Sequence, residues 1–220
     1  MTRPASDGDI LLAGASGLVG GLLANRLEPA RLVCIGRRRI DGLPDGVRQI
    51  VADPQDWAAE IARLQPAIAV SALGTTIRTA GSQAAFAAID HDLVVAFARA
   101  ARGAGARQFL MVSSVGASAQ SRNFYLSTKG KAEDAVRGLG FDRVDIMRPG
   151  LLRGDRAESR PGERIAIAVS PLTDLLTPRA FDKYRSIAAA DVAGAMARLC
   201  GVGEPGAFAH HNREMMGLRA

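Results

Sequence analysis

Two groups of residues in the middle of the chain have the types and spacing for proton transfer. Tyr125 and Lys129 stand four apart in Tyr125-Leu126-Ser127-Thr128-Lys129. That separation puts both on one helix face, one turn from each other. A phenol with the usual pKa of about 10 is a poor acid or base at neutral pH. A lysine ammonium one turn away stabilises the phenolate and makes the exchange accessible. Upstream, Met111-Val112-Ser113-Ser114-Val115-Gly116 ends an apolar run in two hydroxyls. Ser114, 11 residues before Tyr125, is the expected third member, with Ser113 the alternative. Its hydroxyl would hold a carbonyl or alcohol oxygen while Tyr125 gives or takes the proton.

Such a set works beside a hydride carrier, and the N-terminal part of the chain has a place for one. The apolar run Ile10-Leu11-Leu12-Ala13 is followed by Gly14-Ala15-Ser16-Gly17-Leu18-Val19-Gly20. This reads as a short buried strand turning tightly into a helix, a shape that grips a dinucleotide pyrophosphate. Gly14 allows the turn, Gly17 lets the backbone approach the phosphates, and Gly20 lets the helix pack close. The helix N-terminus offers free N–H groups and partial positive charge. After the second strand comes Gly36-Arg37-Arg38-Arg39, with no acid to bind a ribose 2′-hydroxyl. Arg37 and Arg38 suit a 2′-phosphate instead, so NADP(H) is favoured over NAD(H); a solvated basic turn is the other reading. Asp53, after the third strand, could accept from the adenine amino group or cap the next helix. Leu73 and Gly74, after the fourth, would lie beside the cofactor, although Gly74 could equally be a turn residue.

The elements that must position these residues follow from periodicity. Apolar runs alternate with helical patterns, which predicts parallel βαβ units. Strands are expected over 10–13, 31–35, 47–51, 68–72, 108–112 and 144–147. Helices are expected over 18–27, 55–64, 83–102, 125–139 and 190–200. The fold class is α/β, a doubly wound parallel sheet with helices on both faces and a small C-terminal substrate or lid region. One dinucleotide-binding domain spans 1–220. Residues 151–180, richer in Arg, Pro and Gly around 154–177, would form an irregular lid over the carboxyl ends of the strands.

At 220 residues the chain is long enough for one full α/β domain. Its 48% hydrophobic and 23% charged residues are ordinary for a soluble globular protein. No apolar stretch approaches the roughly 20 residues of a membrane span, so no membrane association is expected. The polar start, Met1 to Asp9, lacks the apolar core of a secretory signal. Cys34 and Cys200 sit far apart in apolar surroundings and read as reduced thiols. A cytoplasmic location is therefore expected. The net charge of +6 comes from scattered arginines, and aromatics are only 5%, which argues against nucleic-acid binding. His91, His210 and His211 lack acids or cysteines at ligand spacing, so no metal is expected.

Taken together, these motifs resemble the atypical short-chain dehydrogenase/reductases, whose Gly-x-x-Gly-x-x-Gly spacing the N-terminal glycines follow. More closely, the chain is similar to the Tat-interactive-protein-like family of NADPH-binding proteins. The segments that carry this likeness are Ala72-Leu73-Gly74-Thr75-Thr76, Val112-Ser113-Ser114, Asn123-Phe124-Tyr125-Leu126-Ser127-Thr128-Lys129-Gly130, Phe141-Asp142-Arg143, Arg148-Pro149-Gly150-Leu151-Leu152 and 155–163. The last, Asp155-Arg156-Ala157-Glu158-Ser159-Arg160-Pro161-Gly162-Glu163, lies outside the general reductase pattern and is the most specific. The likeness fades after about Ala180.

The resemblance implies a role for each matching residue. Ser16, Gly17, Leu18 and Val19 would hold the pyrophosphate, and Arg37 and Arg38 the 2′-phosphate. Leu73 and Gly74 would lie along the cofactor. Tyr125 would exchange the proton, with Lys129 binding the nicotinamide ribose. Leu152 would approach the nicotinamide, and Arg160 would reach the cofactor from the loop above. The first reading is a reductase of a small carbonyl or alcohol compound. The second, since such proteins also act as regulators, is an NADPH sensor that works through a protein partner with little turnover. The third is an epimerase or dehydratase of sugar nucleotides, for which the roughly 70 residues after Gly150 leave little room. A monomer or homodimer fits all three.

Overall fold

The computed structural model describes residues 8–154 and 185–218. Seven strands form one parallel sheet. In chain order they are β1 (Ile10–Ala13), β2 (Leu32–Gly36), β3 (Arg48–Val51), β4 (Ile68–Ser71), β5 (Gln108–Val112), β6 (Arg143–Met147) and, after a separate pair, β9 (Gly206–His210). Their spatial order is β3-β2-β1-β4-β5-β6-β9. The order reverses at β1, which pairs with β2 on one side and β4 on the other, and ligands of open α/β sheets bind at such a point.

Helices cover both faces, so the central strands read as unbroken apolar runs rather than alternating ones. Along β1, Ile10 and Leu12 face one core, and Leu11 and Ala13 the other. The first core packs α1 (Leu18–Ala24) and α7 (Ala189–Leu199) on the sheet. The second packs α2 (Trp57–Leu64), α5 (Val94–Gly103) and α6 (Phe124–Arg137). Gly130 lets α6 lie directly on the chain at Ser118 and Ala119, because a Cβ there would fall 2.2 Å from the Ser118 carbonyl carbon.

The expected elements are present, with four differences. The helix foreseen over 83–102 is split into α4 (Gln83–Ala87), a π-helical segment (Ala88–Leu93) and α5. A short α3 (Ile77–Ala80) precedes it, capped by the Thr76 hydroxyl, which accepts from the Thr79 amide. Of the lid expected over 151–180 only 151–154 is described, where β7 (Leu152–Arg153) pairs with β8 (Ile187–Ala188); the rest lies outside the described residues. β9 extends the sheet, α7 packs on α1, and α8 (Asn212–Leu218) packs on α7. The strand β9 escaped detection because Gly206-Ala207-Phe208-Ala209-His210 carries no β-branched residue and forms an edge, where burial demands less of the sequence.

A buried polar network joins β5, β6 and β9. The Asp145 carboxylate is bound by Arg143 through two contacts of 2.7 and 2.8 Å and by the Gln108 amide at 2.9 Å. His210 Nε2 lies 2.9 Å from its other side. The Arg143 guanidinium also sits 4.4 Å over the Phe208 ring. Burial alone would raise the Asp145 pKa, but hydrogen bonds from His210, Arg143 and Gln108 outweigh it and hold the carboxyl below its ordinary 3.8. A depressed folded-state value stabilises the fold fully above the unfolded value, and that contribution is lost as pH falls through the folded value. Thermal melts taken toward low pH should therefore show Asp145→Asn destabilised at neutral pH but losing less on acidification than the wild type. Equal acid slopes would assign the acid limit to other carboxylates.

Candidate active site

A cleft of about 1000 Å³ opens at the carboxyl ends of β1, β2 and β4. Its walls are the loops that follow those strands: 14–17, 36–40 and 72–75, joined by Pro54, Gln55 and the face of the π segment from Ala88 to Leu93. Gly14 adopts φ +91°, and a Cβ there would strike the Ala72 carbonyl carbon at 2.5 Å. The first loop can therefore lie against the end of β4 only with glycine at this position. The Gly17 amide closes the turn on the Gly14 carbonyl at 3.0 Å. At Gly20 a Cβ would sit 2.1 Å from that same carbonyl oxygen, so the third glycine serves helix-to-turn packing, as expected.

Ser16 and Gly17 are exposed on the cleft wall. Leu18 is half-buried beside Gly154, and Val19 is in the core, so neither side chain lines the cleft. Arg37, Arg38 and Arg39 are exposed along it, with no ion pair to an acid among the described residues. Leu73 and Gly74 also line it. Asp53 is exposed and outside the lining, and it is not the cap of α2. The turn from Asp53 to Asp56 intervenes, and Asp56 takes the cap position. Leu152 packs against the first core. Arg160 lies outside the described residues.

The proton-transfer residues stand on α6 and at the end of β5. Asn123 caps α6 through its side chain, accepting from the Leu126 amide at 3.1 Å, which places Tyr125 in the first turn. Tyr125 is half-buried, its ring 5.4 Å from that of Phe86. Lys129 is buried, and its Nζ lies 2.7 Å from Asp90 Oδ1. Of the two serines, Ser113 is buried and donates to Glu133 Oε1 at 2.5 Å. Ser114 is half-buried and donates only to the next carbonyl, at 3.3 Å. The hydroxyl without a buried carboxylate to serve is that of Ser114.

Two acids escaped the sequence reading. Asp90 is fully buried and accepts the Thr75 amide at 2.9 Å through Oδ2. Glu133, also fully buried, binds Ser113, Arg148 and Arg137. Both had a signal. Asp90 stands between Phe86 and Val94 at helical spacing, and Glu133 follows Tyr125 and Lys129 at the same spacing. An acid on the apolar stripe of a helix must find a partner inside.

The residues present fit a dinucleotide. Glycine-only turns, exposed unpaired arginines and a deep concave wall converge at the switch point of the sheet, where such a cofactor lies. Among the described residues no group of three or more His, Cys, Asp or Glu side chains could hold a metal, and no helix is long and apolar enough to cross a membrane. Both cysteines are free, and burial pushes the Cys34 thiol up to about 11.

Comparison with known proteins agrees. The NAD dependent epimerase/dehydratase family matches residues 10–133. The protein named "Protein fmp52, mitochondrial" of Emericella nidulans is 38% identical over 169 residues, 72% of this chain and 72% of its own length. Protein HTATIP2 of Rattus norvegicus is 34% identical over 166 residues, 71% of this chain and 68% of its own. Among solved structures, MoeE5 in complex with UDP-glucuronic acid and NAD has a TM-score of 0.68 at 19% identity, covering 93% of this chain and 76% of that one. A UDP-glucose 4-epimerase from Thermotoga maritima has a TM-score of 0.70 at 12% identity, covering 95% and 80%. These structures share the fold. The expected cytoplasmic location is overturned, because relatives matched over 70% or more of this chain carry mitochondrial names. A polar N-terminal segment does not by itself distinguish one compartment from another.

Proposed function

The chain belongs to the NAD dependent epimerase/dehydratase family, as a relative of the Fmp52 and HTATIP2 proteins, and we propose that it is an NADP(H)-dependent oxidoreductase of a small carbonyl or alcohol compound. The observation that supports this most is the single cleft wall on which the Gly14 turn and the unpaired Arg37, Arg38 and Arg39 meet. Bound NADP(H) supplies or accepts the hydride. Guanidinium groups grip a 2′-phosphate by paired hydrogen bonds. The turn from Gly14 to Gly17 approaches the pyrophosphate with backbone alone. Ser114 holds the substrate oxygen, and Tyr125 gives it a proton in reduction or takes one in oxidation, beside the Lys129 ammonium. One domain serves both cofactor and substrate, and a mitochondrial location, as in the names of the relatives, is the working assignment.

Titration of the purified protein with NADPH and with NADH tests the cofactor assignment. Wild type should prefer NADPH, and Arg37→Ala with Arg38→Ala should weaken NADPH binding by about 10–100-fold while leaving NADH unchanged, given the strength of hydrogen bonds to charged groups. An unchanged ratio would make these arginines surface residues.

A further inference from the structure

We propose that Arg153 binds a carboxylate of the substrate, so that the carbonyl or alcohol compound handled at Ser114 and Tyr125 is an acid with an apolar stretch between its two functional groups. This rests on the oxidoreductase reading above. Arg153 is half-buried on β7. Its Nε is buried with no hydrogen-bond partner, and its guanidinium makes no ion pair among the described residues. The arginines of β6 and of the turn after it are spent on acids, Arg143 on Asp145 and Arg148 on Glu133. A guanidinium keeps its charge at any working pH, and a buried donor without an acceptor is costly. What relieves both is an anionic acceptor, and the planar fork of Nε and Nη matches the two oxygens of a carboxylate.

The place of β7 ties this cation to the chemistry. The Val115 amide, next after Ser114, donates to the Pro149 carbonyl at 2.9 Å, so the chain that leads to Arg153 sets out from beside the serine. At its other end Gly154 packs on Leu18, the first residue of α1, where a Cβ would lie 3.1 Å from Leu18 Cδ2. Arg153 therefore stands between the serine and the glycine turn, the two places assigned to substrate and cofactor. Successive side chains of an extended chain alternate in direction. Leu152 packs into the first core, so Leu151 and Arg153 turn to the other side. Leu151 is 46% exposed, which leaves this side open to a ligand. Moving away from Ser114, such a ligand meets the apolar Leu151 first and the charge of Arg153 second.

The test saturates the protein with NADPH and titrates it with two unreactive ligands, hexanoate and hexanamide, which share a chain and differ in charge. Hexanoate should bind the more tightly. Arg153→Ala should weaken it by about 10–100-fold, as for a hydrogen bond to a charged group, and leave hexanamide and NADPH unchanged. Arg153→Lys, which keeps the charge and loses the fork, should fall between. The kcat/KM for succinic semialdehyde should drop by the same factor in Arg153→Ala, and that for butanal should not. Equal binding of the two ligands by the wild type, or hexanoate affinity unchanged in Arg153→Ala, would overturn the proposal. So would a loss of NADPH affinity in that variant, which would assign the guanidinium to the cofactor phosphates. Reduction of both aldehydes at unchanged rates by Arg153→Ala would overturn it while leaving the oxidoreductase reading in place. A wild type that binds hexanoate through Arg153 and reduces neither aldehyde would keep the anion site and overturn that reading instead.

Discussion

Tyr125→Phe should lower the rate of NADPH oxidation with a carbonyl substrate by about 10²–10⁴-fold, the usual contribution of a positioned acid or base. Affinity for NADPH should be unchanged. The substitution removes one oxygen and keeps the ring, whose contact with Phe86 at 5.4 Å anchors the first turn of α6. Stability should therefore change little. Nicotinamide absorbance over a panel of aldehydes and ketones gives the rate, and calorimetric titration gives the affinity. A fully active variant would remove Tyr125 from the chemistry. A wild type that binds NADPH and turns over nothing in the panel would favour the sensor reading, in which the same cleft reports cofactor to a protein partner.

The largest effect on stability is expected at Glu133. Its carboxylate joins three elements: Ser113 at the end of β5, Arg148 just beyond β6, and Arg137 on its own helix. Arg148 binds it through both Nε and Nη2, and the Arg148 pKa is raised, chiefly by that hydrogen bonding. Glu133→Ala leaves Ser113 without its acceptor and Arg148 without its counter-ion, in a region where Glu133 itself has no exposure. Removing one partner of a buried pair costs about 3–5 kcal/mol. Urea unfolding should record a loss of that size, and Glu133→Gln a smaller one. A loss under about 1 kcal/mol, the range of exposed pairs, would mean that the network is solvated. The effect reaches the site, since Glu133 ties down Ser113, next to Ser114, and the Arg148-Pro149-Gly150 turn.

The sheet and most of its cover were legible from local pattern because parallel strands buried on both faces read as near-continuous apolar runs. The runs at Ile10–Ala13 and Gln108–Val112 matched to the residue. The glycine turn was legible for a related reason. At Gly14 and Gly20 a Cβ would lie within 3 Å of backbone, so the spacing of glycines is the geometry itself. Tyr125 and Lys129 share a helix face through spacing alone.

Tertiary structure decided what local spacing cannot express. Lys129 was legible as the neighbour of Tyr125, but its ion-pair partner comes from a π segment 39 residues earlier, 129 − 90. Ser113 and Ser114 are identical in type and adjacent, and the buried Glu133 on another element commits only the first. The seventh strand had no apolar run because an edge requires less burial, and the His210 it carries meets Asp145 across 65 residues. A sequence thus determines which groups are available and which local geometry their backbone permits. Which charges neutralise one another, and which remain open to a ligand, is fixed only when distant elements pack, because a buried charge is tolerated only beside its counter-charge.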